Sequence, residues 1–261
     1  MSHKYFTLYK ISLGNLFTYR FNFFLGRLRN IIVMVILYIL WTELTKTGTF
    51  FSYSREDLIT YVLGIHILRS LIIGPQARKL AEEINDGSLS SYLIKPINYL
   101  RFVYTKELAE RLTLFMLSCF EAVVFILLVQ PQIRIPHEAT TLFLFVVSVF
   151  LSHFLYIFLS FLMSCVAFWS REALGPRFLF DWILEFASGG YFPLNIVSYP
   201  ISLFLQFFPF AALFYTPMII FLEKGNTMLL FGLQIFWLIV ALLVLPFIWK
   251  KGLKKYSGEG I

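Results

Sequence analysis

From Thr227 to Trp249 the chain carries no charged side chain. A run of this kind is about as long as a helix needs to cross the hydrocarbon core of a bilayer. Several other apolar runs approach the same length. In lipid every backbone N–H and C=O must be satisfied from within, which admits helices and closed barrels only. Continuous apolar runs without strand alternation select helices. Composition agrees: 59% of residues are apolar and 14% charged, against about 25% charged in ordinary soluble domains. The expected fold is an all-α membrane protein forming a single transmembrane domain over residues 1–261.

The runs predict six transmembrane helices near 28–44, 58–74, 112–130, 140–169, 176–190 and 227–249. Residues 1–27 form a basic, amphipathic lead-in with Phe6, Ile11, Leu13, Phe17 and Phe24, suited to an interfacial helix lying in the membrane plane. No short apolar core with a cleavage site precedes the first span, so a retained N-terminus is expected. Residues 191–222 are apolar but cut by Pro193, Pro200, Pro209 and Pro217 into pieces too short to span. They read as a re-entrant hairpin dipping from the outer face, with residues 227–249 as the last span and 250–261 as a tail.

Basic residues set the orientation. With the N-terminus cytoplasmic, residues 1–30, 75–111, 170–177 and 250–261 hold 17 of the 22 Lys and Arg on the inside. Only Lys46, Arg55, Arg134 and Lys224 fall outside, and Arg69 lies within a span. Both termini are therefore expected in the cytoplasm. The net charge of +7 then reflects topology and anionic headgroups, not nucleic acid. The partner it implies is the lipid bilayer.

The longest polar segment, 75–111, lies between the second and third spans. Ala77 to Ile84 continues the second span as a charged helix, and Asn85-Asp86-Gly87 stops it, Gly87 being suited to a left-handed cap. Asp86 or Ser88 can cap a new short helix that Pro96 ends. Leu89, Tyr92 and Leu93 share one apolar face of it. Alone, this element fits either a docking helix or a solvated linker lying back on lipid.

The pattern Glu83-x-x-x-Gly87-Ser88-Leu89-x-x-Tyr92-Leu93-x-x-Pro96 resembles the coupling loop of permeases of type-two ABC exporters. The proline-punctuated stretch from Phe192-Pro193 through Tyr199-Pro200 and Phe208-Pro209 to Tyr215-Thr216-Pro217 resembles their extracellular re-entrant hairpin. The resemblance covers essentially the whole chain. It implies a cytoplasmic coupling helix that engages ABC ATP-binding subunits, two copies of them, and a second permease, either this chain again or a sister chain. It implies a bacterial-type inner (plasma) membrane. No Gly-x-x-x-x-Gly-Lys-Ser/Thr phosphate loop occurs, so ATP and Mg are expected on a separate ATPase, and the chain itself is expected to be neither an enzyme nor a cofactor carrier.

Ionisable residues within spans are candidates for the translocation path or the subunit interface. Arg177, Asp181 and Glu185 stand at i, i+4 and i+8 on the fifth span, where Arg177 and Asp181 can pair. Glu185 is left to meet Arg69 or a second subunit. Glu121 of the third span and Arg69 of the second are expected to pair across helices. An alternative class, an ion-coupled secondary transporter or channel, would use Asp181, Glu185 and Glu121 as its ion site. A membrane-embedded enzyme is the third class, but no nucleophile–base spacing recurs. His66 and His153 read as hydrogen-bonded core residues. Cys119 and Cys165 read as buried hydrophobes, with no metal spacing among His and Cys. Trp41 and Trp249 near span ends read as interface anchors.

Overall fold

The computed structural model describes residue 14 and residues 20–74, 76–95, 99–170, 172 and 174–257. Among these there are ten α-helices and no strand: α1 (Arg20–Leu44), α2 (Arg55–Ile72), α3 (Gln76–Asn85), α4 (Leu89–Leu93), α5 (Tyr99–Val129), α6 (Ala139–Ser164), α7 (Leu174–Ala187), α8 (Tyr199–Phe207), α9 (Tyr215–Phe221) and α10 (Thr227–Lys255). Short 3-10 turns at Cys165–Phe168 and Leu194–Ile196 extend α6 and precede α8. Four helical stretches, Phe23–Leu44, Tyr99–Val129, Ala139–Phe168 and Thr227–Lys255, are long and apolar enough to cross a membrane. Their outward faces carry large exposed apolar side chains such as Ile36, Phe120, Phe150 and Leu243. Such a surface suits lipid and not water.

The second and fifth expected spans do not reach that standard, for different reasons. Arg55, Glu56, Asp57 and Arg69 lower the apolar character of α2, which instead sits at the centre of the bundle. Packed by α1, α5 and α6, it has most of its side chains buried. Its polar first turn is a capping box: Ser54 Oγ accepts from Asp57 N at 3.2 Å and Asp57 Oδ2 accepts from Ser54 N at 2.9 Å, satisfying otherwise orphaned amides. The other helix, α7, has 14 residues, about 21 Å at 1.5 Å per residue. It stops partway, where Gly189 turns with φ +81° and its carbonyl accepts from Tyr61 Oη at 2.6 Å.

The segment after α7 doubles back. Asn195 near its start accepts from Tyr53 Oη at 2.8 Å, and Lys224 near its end donates to Ser52 O at 2.7 Å. Both ends therefore meet the α1–α2 connection. Pro200 lies in the first turn of α8 and Pro217 in the first turn of α9, where the missing N–H costs little. Pro193 precedes the Leu194–Ile196 turn, and Pro209 breaks the chain between α8 and α9. Whereas α8 is largely exposed, α9 is buried. The irregular backbone between them is satisfied by protein: Ala212 O accepts from Gln234 Nε2 at 2.8 Å and from Ser152 Oγ at 2.9 Å.

The opposite end of the bundle carries α3, α4 and the C-terminal end of α10. Gly252 of α10 lies so close to the Phe168 ring that a β-carbon would overlap it. Trp249 stacks on Tyr99 with ring centroids 5.9 Å apart and also meets Phe168. Trp41 is buried against Phe50. Trp41 therefore packs inward, while Trp249 is half-buried between these rings. Of the lead-in, Phe6, Ile11, Leu13 and Phe17 lie outside the described residues, while Phe24 is exposed on α1. No break separates residues 20–27 from the first span, because both belong to α1. Likewise α5 starts at Tyr99, well before residue 112.

Candidate docking elbow and charged cavity

The elbow between α3 and α4 is built as its residues require. Gly87 has φ +79°, a conformation most side chains avoid, and it ends α3 after Asn85. Asp86 Oδ1 accepts from Ser88 N at 2.8 Å; hydrogen bonding from Ser88 holds this exposed carboxyl below the usual range. Leu80, Ile84 and Leu89 are fully buried and fasten the elbow to the bundle. Glu83 accepts from Tyr99 Oη, and burial raises its carboxyl above the usual value despite that bond.

Sequence reasoning grouped Leu89, Tyr92 and Leu93 on one face for a partner, and here the structure differs. Leu89 is 0% exposed, at the root of the short helix. Tyr92 turns to Tyr99 and Phe102, with ring centroids at 5.6 and 5.4 Å. The outward apolar residues are Leu93, 43% exposed, and Ile94, 84% exposed. Periodicity gave the face but not its direction, because a bundle and a partner both want apolar contacts. Ile94 was left off that face because it falls outside the i, i+3, i+4 spacing of Leu89, Tyr92 and Leu93. Pro96 lies outside the described residues.

One further residue belongs to the elbow. Tyr256, immediately after α10, donates from Oη to Gly87 O at 2.7 Å and accepts from Ser90 N at 3.1 Å. The last long helix is thereby tied to the short one across most of the chain. No sequence signal marks Tyr256 for this role.

The charged residues packed between the helices sort into four sets. Glu121 takes both Arg27, with Nε at 2.9 Å, and His66, with Nε2 at 2.9 Å. Arg69 pairs with Glu185 and donates to Gly190 O at 3.1 Å. The expected Arg69–Glu121 pair is thus replaced by two others, because α1 brings Arg27 to Glu121 while α7 brings Glu185 to Arg69. Arg177 meets Asp181 at 3.2 Å, as the i, i+4 spacing implies, and donates to Ser160 O at 3.2 Å. Finally, Arg111 pairs with Glu107, both essentially fully buried, and donates to Leu71 O at 3.2 Å. That bond satisfies a carbonyl in the last turn of α2, where positive charge is favoured. His153 Nδ1 lies 2.9 Å from the same guanidinium. The Glu107–Arg111 pair was missed because it fell in the segment expected to be a cytoplasmic loop, although its i, i+4 spacing is readable.

At the far end, Asp57 receives Lys224 at 2.9 Å and Arg134 at 3.2 Å. Two of the four basic residues expected outside are therefore gathered in one cluster, away from the elbow. Between α1, α2 and α7 lies a cavity of about 550 Å³. Arg29, Arg69 and Arg177 line it with Asp181 and Glu185, beside apolar side chains that include Val33 and Trp182.

Residues 13–260 match the family described as ABC-2 family transporter protein. No curated protein matches the chain, and no solved structure does.

Proposed function

The chain belongs to the ABC-2 family of transporter proteins, and on that premise we propose that it is the permease of an ATP-driven exporter whose ATPase docks on the elbow. A permease of this family is the membrane component of an ABC transporter and works with ATP-binding subunits. The finer reading is six spans, with α2 and α7 completing the crossings made by the four long apolar helices. Both termini face the cytoplasm, residues 191–222 re-enter from outside, and the permease dimerises with itself or a sister chain in a bacterial-type inner membrane. Two ATP-binding subunits carry ATP and Mg; this chain performs no covalent chemistry.

The observation that carries the reading is α4. Its root is buried, its tip is apolar and exposed, and it sits at the end of the bundle that the basic residues assign to the cytoplasm. A closing ATPase that grips Leu93 and Ile94 pulls on α3 through Leu89 and on α10 through Tyr256. Motion at the ATPase is then passed to two elements of the bundle as a rigid displacement. An ion site gains nothing from Asp181, Glu185 or Glu121, since each faces an arginine. Leu93→Glu and Ile94→Glu are expected to leave membrane insertion at the wild-type level and to abolish ATP-driven transport. Transport that survives both changes would remove the elbow from the docking role.

A further inference from the structure

The cavity between α1, α2 and α7 holds more charge than a structural seam needs. A purely structural site tends towards balanced pairs, because an uncompensated charge at membrane depth is costly. Here two of the three arginines are balanced: Arg69 by Glu185 and Arg177 by Asp181. Arg29 is not. Among the described residues no ion pair or hydrogen bond holds it; it lines the cavity from α1 with an exposed side chain, within reach of an entering anionic head. Three arginines against two carboxylates leave one positive charge on the described wall.

The rest of the lining has a different chemistry. Val33, Leu37 and Val62 form an apolar wall, and Phe178 and Trp182 add exposed aromatic rings from α7. The volume of about 550 Å³ lies within the range of small-molecule sites, roughly 300–1,000 Å³. Its lining comes from the stretch Arg29 to Leu37 of α1, from Val62 to Gly74 on and just past α2, and from Arg177 to Tyr191 along and just past α7, with Tyr156 of α6.

We propose that this cavity binds an anionic amphiphile, with its acidic head on Arg29 and its apolar tail along the α1–α7 wall. The neutralised pairs hold the site's shape, and Arg29 supplies the charge that selects the ligand. As cargo, this ligand rests on the exporter reading; as a ligand, it does not. A free small anion offers the same head chemistry without the tail, so the test separates the two.

The full chain, purified in dodecyl maltoside, is incubated with radiolabelled dodecyl phosphate. Competitors are dodecyltrimethylammonium, of equal tail and opposite charge, and inorganic phosphate. Saturable binding is expected, with the cationic amphiphile weaker than unlabelled dodecyl phosphate by about tenfold or more, the scale of a lost charge-assisted hydrogen bond, and inorganic phosphate weaker too, for want of the buried tail. Arg29→Gln is expected to weaken binding by a similar factor of about ten, and Arg29→Lys to restore most of it. Equal competition by the cationic amphiphile, or unchanged binding in Arg29→Gln, would overturn the assignment. Equal competition by inorganic phosphate would overturn the amphiphile and leave a small-anion site. Should Arg29→Gln fail to fold, the competition series on the wild-type chain decides alone. The binding test needs no ATPase. Failed binding in a chain that still co-purifies with an ATPase removes the ligand alone, while intact binding without any ATPase removes the exporter reading alone.

Discussion

Glu107 and Arg111 are a buried ion pair one helical turn apart, and such a pair is worth most as a constraint. Neutralising one partner strands the other. Glu107→Gln is expected to cost about 3–5 kcal/mol, read as a lower thermal midpoint and reduced yield of folded chain. A Glu107→Gln/Arg111→Met double variant should recover part of that loss, whereas no recovery would place the cost outside the pair. Gly252 makes a second residue-scale case. A β-carbon there overlaps the Phe168 ring, so Gly252→Ala is expected to destabilise by about 1–3 kcal/mol through overpacking. Phe168→Leu should relieve it in a thermal-shift comparison of single and double variants. Local chemistry of this kind was partly legible in the sequence. Asn-Asp-Gly announced the left-handed stop at Gly87, and the spacing of Arg177 and Asp181 announced their pair. The partner of Glu121 was not legible, since it depends on how α1 is rotated against α5, which neither helix encodes by itself.

Among the elements, α4 is too short to hold its own shape. Five residues close little more than one turn, so its position comes from Leu89 below, Gly87 before it and Tyr256 beside it. Tyr256→Phe removes both hydrogen bonds of the phenol while keeping the ring against Phe168. At about 1 kcal/mol for each bond, the fold is expected to survive. ATP-driven transport is expected to fall more than ATPase association does, because the elbow would still dock but would pull less on α10. Equal loss of both would mean that Tyr256 only shapes the docking surface. The element boundaries show why periodicity falls short here. It identified α4, yet left open which face met the bundle, and it started the third span at residue 112 although α5 begins at Tyr99. The charged first turns of α5 looked like loop because their partners, Leu71 O and His153, lie on other helices.

At the scale of the molecule, the proposed six crossings and re-entrant hairpin would put opposite ends of the bundle in opposite compartments. With Cys119 and Cys165 replaced by alanine, Lys46→Cys should react with an impermeant maleimide from outside intact cells, and Lys254→Cys only after permeabilisation. Reaction of both from one side would contradict the topology. The bundle itself was largely legible, because long uncharged runs leave the backbone no other way to satisfy its hydrogen bonds in lipid. The buried, charged α2 and the short α7 were the elements where composition understated packing: α2 places its polar groups on neighbours, and α7 hands its path to the hairpin at Gly189. The central claim is that this permease works through a separate ATPase held at Leu93 and Ile94. Its most direct test is mild-detergent purification of the tagged chain from its native membranes, with mass spectrometry of the co-purifying proteins, for the wild type and Ile94→Glu. The account predicts an ATP-binding cassette protein with the wild type and its loss from an equally abundant Ile94→Glu chain. A wild-type chain recovered intact without any such protein would contradict it.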